Sequence, residues 1–130
     1  MRNRKNPGWS QKTFEQPVKR YCQTLDLKDD RRLIEEYIKM HSELYHWPEV
    51  REGLKSIGIL EMEIYCLGTR LFMIVETPLD FEWEDAFKRL ASLPRQAEWE
   101  LYMSTFQIAD PVVVSEGKWQ LMDRIFYLYD

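Results

Sequence analysis

The sequence is poor in glycine and cysteine and has no long apolar run, and each shortage excludes a class of protein. Its five glycines stand singly, so no glycine-rich loop is present to hold nucleotide or sugar phosphates. No apolar run approaches the roughly 18 residues that cross a bilayer. The two cysteines, Cys22 and Cys66, both fall in predicted strands, which favours small buried thiols over a disulfide or a redox pair.

Basic charge is also in short supply. The formal net charge of -4 argues against a nucleic-acid binder, because such a protein needs a basic face to meet phosphates. The basic start MRNRK leads into a polar stretch, so we expect neither a signal peptide nor a membrane anchor. These features predict a cytoplasmic protein.

The 130 residues are enough for one domain with its own core. Residues 1–16 contain Pro, Gly, Asn and Gln without periodicity, which predicts an N-terminal extension that is poorly ordered or laid over the surface. We expect residues 17–130 to form a single domain.

Alternation and helical spacing predict eight elements in this domain. The first five are a strand from Val18 to Leu27, a helix capped by Asp29 or Asp30, a helix that opens at Pro48 and stops at Gly58, and strands from Ile59 to Leu67 and from Arg70 to Thr77. The last three are a helix capped by Asp80, a helix opened by Pro94 and, after a loop at 107–117, a strand from Lys118 to Tyr129.

This order is the split βαβ arrangement of ferredoxin-like folds, an α+β class with an antiparallel sheet and its helices on one face. The strand from Arg70 to Thr77 is almost continuously apolar, which predicts a central strand covered on both faces. The open face would carry residues such as Phe72, Tyr127 or Tyr129, which are too apolar to leave in water. A second copy of the chain is the expected cover, giving a homodimer.

Tyr37 and His41 are the first candidates for chemistry. Four residues apart on a helix, they project from the same face, within a stripe that also contains Leu33, Ile34 and Leu44. Histidine exchanges protons near neutral pH without extreme tuning of its pKa. The alternative from spacing alone is a core tyrosine beside a hydrogen-bonded structural histidine.

The histidines and tryptophans of the sequence raise two possible kinds of ligand, a metal ion and a sugar. His41 and His46 lie on different sides of a continuous helix and no cysteine is near enough in sequence to complete a zinc pattern, so we expect no metal. Trp47, Trp83 and Trp99 fit a core, yet an indole ring also packs well against the apolar C–H face of a sugar.

The second predicted strand offers two different faces. Glu63 and Tyr65 share one face, while Met62 and Ile64 share the other. One of these faces is expected to line any cavity, and the pattern does not say which.

Several motifs together resemble the L-rhamnose mutarotase family. They are Y-x-x-x-H followed by W-P-E, then E-I-Y on one strand, L-F-M-I-V-E on the next, and W-E-x-Y-M in a late helix. The resemblance runs from about Val18 to Tyr129 and includes the order of the elements. It implies a small ferredoxin-like protein that dimerises as an α+β barrel. It also implies an enzyme that interconverts the anomers of a sugar without a cofactor.

The resemblance also implies roles for individual residues. His41 corresponds to the family's proton-donating histidine, and Tyr37 and Trp99 correspond to substrate contacts. Met62 stands where a second substrate-contacting tyrosine is expected, and Glu100 stands where the second tryptophan of a pair is expected.

A third departure is the distance between His41 and Trp47, which is two residues longer than the family pattern and includes His46. The Tyr37–His41 turn matches the family pattern, but the substrate-contacting positions 62 and 100 differ from it. The expected substrate is therefore either L-rhamnose or L-fucose.

Mutarotation needs one acid for the ring oxygen and one base for the anomeric hydroxyl. We expect His41 to be the acid and Glu63, Glu100 or a water molecule to accept the other proton. Two alternatives stay open from the sequence: a monooxygenase-like or haem-handling barrel of the same element order, and a non-catalytic sugar-binding module.

Overall fold

A computed structural model describes residue 6, residues 8–108 and residues 118–129. The elements follow the predicted order. The strands are β1 (Val18–Asp26), β2 (Glu61–Leu67), β3 (Arg70–Pro78) and β4 (Gln120–Leu121), and the helices are α1 (Arg31–Met40), α2 (Pro48–Ser56), α3 (Trp83–Ala91) and α4 (Gln96–Ser104).

The strands form one antiparallel sheet in the order β2-β3-β1-β4. This is the strand order of a ferredoxin-like fold, so the predicted α+β class is confirmed. In the register, Gln23 of β1 lies opposite Met73 of β3, and Met73 lies opposite Ile64 of β2. These three side chains therefore share one face of the sheet.

The core lies between that face and the helices. Alternate residues of β3 are buried, namely Leu71, Met73, Val75 and Thr77, and the apolar ones form one cluster with residues of α3 and α4 such as Leu90 and Met103. The central position of β3 is confirmed. Its predicted cover on both faces is wrong for the single chain, because the intervening residues are only half-buried.

Local signals place α1 and α2 correctly. The Asp30 carboxylate accepts hydrogen bonds from the backbone N–H groups of Arg32 and Leu33 at 2.9 and 3.3 Å, so Asp30 is the cap. Pro48 is the first residue of α2. The inward placement of Leu44 is wrong, since α1 ends before it and its side chain is 87% exposed.

The C-terminal stop of α2 is also confirmed. Gly58 follows the helix with φ +106, a left-handed backbone that glycine adopts without a steric penalty. Its N–H donates to the Lys55 carbonyl at 3.1 Å, which satisfies one of the last helical acceptors.

The predicted starts of α3 and α4 are wrong. No side chain caps α3, whose N-cap is Glu82 and not Asp80. Pro94 does not open α4, because Arg95 takes a left-handed conformation with φ 64 and the helix begins one residue later.

The last strand is much shorter than predicted. Only Gln120 and Leu121 pair, with Thr24 and Gln23 of β1, and residues 122–129 have no regular secondary structure. The Met122 N–H still donates to the Cys22 carbonyl of β1 at 2.8 Å. A strand needs a neighbouring backbone to bond with, and after Met122 no residue of the described tail pairs with β1. The predicted loop at 107–117 lies outside the described residues from 109 onward.

The apolar residues expected on the open face separate into two groups. Phe72 lies in β3 on the face away from the core and is half-buried. Tyr127 and Tyr129 are exposed and lie in the tail, outside the sheet. Their predicted place in the sheet is therefore wrong.

The N-terminal extension and the cysteines complete the fold. Residues 8–16 form neither helix nor strand, and Gln11 Nε2 donates to Glu63 Oε2 on β2 at 3.0 Å. Cys22 is half-buried, whereas Cys66 is exposed, so a buried thiol was the wrong expectation for Cys66. Within the described residues no helix is both long and apolar enough to span a bilayer.

Candidate active site

His41 stands at the end of α1, directly after the last helical residue. Its ring nitrogen Nδ1 lies 2.7 Å from the Tyr37 carbonyl oxygen, one turn earlier in the helix. Because a carbonyl only accepts hydrogen bonds, Nδ1 must carry the proton and donate it. The other nitrogen, Nε2, is therefore the atom available for proton exchange.

The surroundings of His41 lower its pKa below the ordinary value of 6.5. Burial is the largest cause, because removing water disfavours the charged ring. The hydrogen bond to the Tyr37 carbonyl raises the pKa, and the nearby Arg51 charge lowers it. His41 thus becomes a stronger acid than a solvent-exposed histidine.

Aromatic rings enclose His41. The Tyr37 ring centroid is 4.4 Å from that of His41, and Trp99 meets the imidazole edge-on at 5.3 Å. Trp47 packs edge-on to Trp99 at 5.1 Å and is itself covered by the Arg95 guanidinium at 3.9 Å. Trp47 therefore packs against Trp99 and helps to hold its ring in place.

The Tyr37 hydroxyl is buried and accepts a hydrogen bond from Gln107 Nε2 at 3.4 Å. Burial is the main cause that raises the pKa of Tyr37 well above its usual value. The phenol therefore stays protonated near neutral pH, and its proton remains available as a hydrogen-bond donor.

An inner cavity of about 100 Å³ lies between the sheet and the helices beside these rings. Its lining includes all five residues that the sequence nominated most strongly, which are His41, Tyr37, Trp99, Met62 and Glu100. Buried polar side chains share this lining, namely Gln23, Gln96, Gln107 and Lys118. Aromatic rings and neutral amides in one enclosure suit a neutral polyhydroxyl ligand.

Two wider cavities share His41 and Ile64 with the lining of the inner one. One, of about 560 Å³, is lined by Glu63, Tyr65 and Trp9 as well. The other, of about 360 Å³, includes His46 in its lining. His41 therefore borders the inner cavity and both wider ones.

The structure decides which face of β2 enters the core. Met62 and Ile64 lie on the inner face, opposite Val75 and Met73 of β3. Glu63 lies on the outer face, where its Oε2 accepts hydrogen bonds from Gln11 at 3.0 Å and from Tyr65 at 3.3 Å. Of the two carboxylates considered from the sequence, only Glu100 lines the inner cavity.

Sequence reasoning missed the residues Gln23, Gln96, Gln107, Lys118 and Trp119, all of which line the inner cavity. A signal existed for one of them. Gln96 and Glu100 are four residues apart and flank the apolar stripe of α4, so a buried polar pair was readable from helical spacing. The others come from separate parts of the chain and meet only after folding.

Lys118 and Glu100 are joined across this lining. Lys118 Nζ donates to the Glu100 backbone oxygen at 3.0 Å, and both residues are more than nine-tenths buried. Gln96 Nε2 donates to Glu100 Oε2 at 2.9 Å. Among the described residues, no group of three or more His, Cys, Asp or Glu side chains is placed to hold a metal ion.

A ferredoxin-like sheet with a half-buried histidine, a buried carboxylate and an aromatic, amide-lined cavity defines a small α+β protein suited to proton transfer on a neutral polar ligand. The comparison with known families makes this specific. Residues 20–128 match the family model of L-rhamnose mutarotase, and the chain belongs to the L-rhamnose mutarotase family, whose members are isomerases. Membership sets aside the monooxygenase-like alternative.

Known proteins of similar sequence and structure agree with this placement. An L-fucose mutarotase of Xanthomonas campestris pv. campestris is 39% identical over 111 residues, covering 85% of this chain and 89% of the relative. A UPF0734 protein of Dictyostelium discoideum is 43% identical over 114 residues, covering 85% of this chain and 90% of the relative. The crystal structure of an L-rhamnose mutarotase from Formosa agariphila shares the fold, with a TM-score of 0.62, 20% identity, and coverage of 85% of this chain and 99% of that one.

Proposed function

We propose that this chain interconverts the α and β anomers of L-fucose, with L-rhamnose as the poorer substrate. The relative named L-fucose mutarotase, at 39% identity, supports this choice of sugar. The residues at positions 62 and 100 support it as well, because both depart from the rhamnose pattern and both line the inner cavity.

The proposal depends most on the position of His41. Its Nδ1 is engaged by the Tyr37 carbonyl, and its ring lines the same cavity as the Glu100 carboxylate. Ring opening needs a proton donor and a proton acceptor at one sugar, and this cavity holds both kinds of group.

The proposed reaction returns every proton. His41 gives the Nε2 proton to the ring oxygen while Glu100 takes the proton of the anomeric hydroxyl, so the bond between the anomeric carbon and the ring oxygen breaks and an aldehyde forms. The aldehyde group then rotates. On closure, the former ring oxygen attacks the opposite face and returns its proton to His41, while Glu100 reprotonates the carbonyl oxygen.

The remaining nominated residues have supporting roles in this proposal. The Tyr37 hydroxyl donates to a sugar hydroxyl, and the Trp99 indole packs against the C–H face of the sugar. Met62, on the apolar inner face of β2, contacts the methyl group of a 6-deoxy sugar. Glu63 and Tyr65 lie at the mouth of the site.

His46 and Trp47 have more distant roles in the proposal. His46 lines the neighbouring 360 Å³ cavity, and we place it beside the entrance. Trp47 holds the Trp99 ring in position through the edge-on contact between them.

A homodimer and a cytoplasmic location are part of the proposal. The tail after β4 exposes large apolar side chains, including Ile125 at 95% and Phe126 at 74%, and such a patch favours association. A second copy seated on the open face of the sheet is the occupant we propose. This surface is separate from the inner cavity, so each chain retains its own His41.

The test is saturation-transfer NMR, in which one anomeric proton is irradiated and the signal of the other anomer is observed. With the wild-type protein we expect magnetisation transfer for L-fucose, and weaker transfer for L-rhamnose. His41→Asn removes the acid while keeping a polar side chain of similar size, and we expect transfer to fall to the solvent rate. A cooperative thermal unfolding transition in the variant, as in the wild type, serves as the folding control.

The non-catalytic alternative gives a different result in the same experiment. A sugar-binding module would show ligand binding by saturation-transfer difference while anomer exchange stays at the solvent rate with the wild-type protein. That outcome would replace the enzymatic proposal with a binding function at the same cavity.

A further inference from the structure

The inner cavity includes two buried amide side chains with an unused acceptor. Gln96 and Gln107 are each 4% exposed, and within the described part of the chain neither side-chain oxygen Oε1 has a hydrogen-bond partner. Buried polar atoms are almost always hydrogen-bonded, because leaving one unpaired is unfavourable. Two such oxygens in one cavity lining point to a ligand that supplies donors.

The orientation of the Gln96 amide is fixed by its neighbour. Gln96 Nε2 donates a hydrogen bond to Glu100 Oε2 at 2.9 Å, and Oε2 acts as the acceptor. The amide therefore cannot be reversed without placing two acceptors against each other. Its carbonyl oxygen is held on the side away from Glu100.

We propose that Gln96 is a specificity-determining residue whose Oε1 accepts a hydrogen bond from one ring hydroxyl of the bound sugar. This inference rests on the proposed mutarotase function and names a substrate contact that the sequence did not predict. Gln107 belongs to the same lining, where its Nε2 contacts the Tyr37 hydroxyl. Glu100 orients the Gln96 acceptor in addition to its proposed role in proton transfer.

An acceptor at a fixed position can distinguish between sugars. L-fucose and L-rhamnose have the same atoms but differ in the orientation of ring hydroxyls, so a carbonyl placed to meet one hydroxyl of the preferred sugar misses it in the other. The mismatched sugar also leaves a buried carbonyl unpaired. Sites of this kind discriminate more strongly than apolar pockets do.

The first experiment compares Gln96→Met with the wild-type protein. Methionine keeps a similar length but has no strong acceptor. We expect KM for L-fucose to rise about tenfold or more, kcat to change less, and the preference between L-fucose and L-rhamnose to shrink. Ser104→Ala is the matched control, because Ser104 is buried on the same helix but its hydroxyl donates to the Leu101 carbonyl and does not line the cavity.

The second experiment leaves the protein unchanged and alters the sugar. Fluorine can replace one ring hydroxyl at a time in L-fucose, and a C–F group cannot donate a hydrogen bond. We expect one of these analogues to bind the wild-type protein about tenfold or more weakly and to lose nothing further in Gln96→Met. The wild-type part of this series can overturn the assignment even if the methionine variant does not fold.

The outcomes separate the two proposals. If wild-type protein neither binds nor exchanges L-fucose or L-rhamnose, the proposed function fails. If wild-type protein is active and Gln96→Met keeps KM and sugar preference within twofold, the assignment of Gln96 is wrong. It is equally wrong if every monofluorinated L-fucose binds the wild-type protein within twofold of L-fucose itself.

Discussion

The side chain of His41 combines a structural bond with a chemical role. The last carbonyl groups of a helix have no partner within the helix, and the imidazole satisfies that of Tyr37 with Nδ1–H. This one bond fixes both the position of the ring and its tautomer. Burial around the ring then lowers the pKa of His41, which makes proton donation from Nε2 easier.

The first prediction concerns the dependence of activity on pH. Because the proposed donor is the imidazolium, kcat/KM for L-fucose should fall as pH rises through the lowered pKa of His41, below 6.5. The measurement is the NMR exchange rate across the acid range, corrected for the solvent rate. A rate that instead rises through the same range would make His41 the proton acceptor.

Folding stability should depend on pH in the opposite sense. His41 has a lower pKa in the folded protein than the unfolded value of 6.5, so the unfolded chain binds the proton more tightly. The contribution of neutral His41 is therefore fully present above about pH 6.5 and is lost as pH falls toward the lower folded value. Urea unfolding of wild type and His41→Asn should show a steeper loss in the wild type, and parallel curves would contradict this.

Helix α1 carries both Tyr37 and His41, so its stability bears directly on the site. Its only side-chain cap is Asp30, whose Oδ1 accepts from two backbone N–H groups in the first turn. The element is ten residues long, and an isolated helix of that length is marginal in water. The cap and the packing of Tyr37 together hold it.

Asp30→Ala should lower the free energy of unfolding by about 1 kcal/mol, because the two N–H groups lose their acceptor. Asp29→Ala is the matched control, since the neighbouring aspartate does not cap the helix, and it should change stability by less than about 0.5 kcal/mol. Urea denaturation followed by circular dichroism measures both. Equal effects would show that the cap contributes nothing specific.

Helix α4 shows where local signals are insufficient. Pro94 is a good first helical residue by propensity, yet the left-handed Arg95 delays the helix to Gln96. The position is stabilised by tertiary contacts, in which Arg95 stacks on Trp47 at 3.9 Å and pairs with Glu49 at 3.7 Å. None of these partners could be identified from the local sequence.

The molecule as a whole leaves apolar surface uncovered at its C-terminal tail. Ile125, Phe126, Leu128 and Tyr129 are all at least 70% exposed, and in the described chain the tail pairs with no strand after Met122. A single chain of this fold has helices on one sheet face only. Association through the tail and the open face would bury both.

Ile125→Glu combined with Phe126→Glu should shift the protein from dimer to monomer, because charged side chains are costly to bury in an apolar contact. Light scattering after gel filtration measures the mass directly. Leu44→Glu is the control, since Leu44 is 87% exposed but belongs to the segment between α1 and α2 and not to the tail. A wild-type protein that is already monomeric at micromolar concentration would disprove the proposed dimer.

Local chemistry in the sequence determined the order of the elements, a cap at Asp29 or Asp30, the Pro48 start and the one-turn spacing of Tyr37 and His41. These features depend on neighbours a few residues away, so they could be predicted. The resemblance to the family likewise depends on short motifs, such as Y-x-x-x-H and W-P-E.

Only the tertiary structure decided which face of β2 lines the cavity, because both faces offer half-apolar residues and the choice depends on where the helices pack. It also brought Gln23, Gln107 and Lys118, which are far apart in the chain, into one lining with Tyr37 and Glu100. The short β4 has the same origin, since a strand extends only as far as a neighbouring backbone pairs with it.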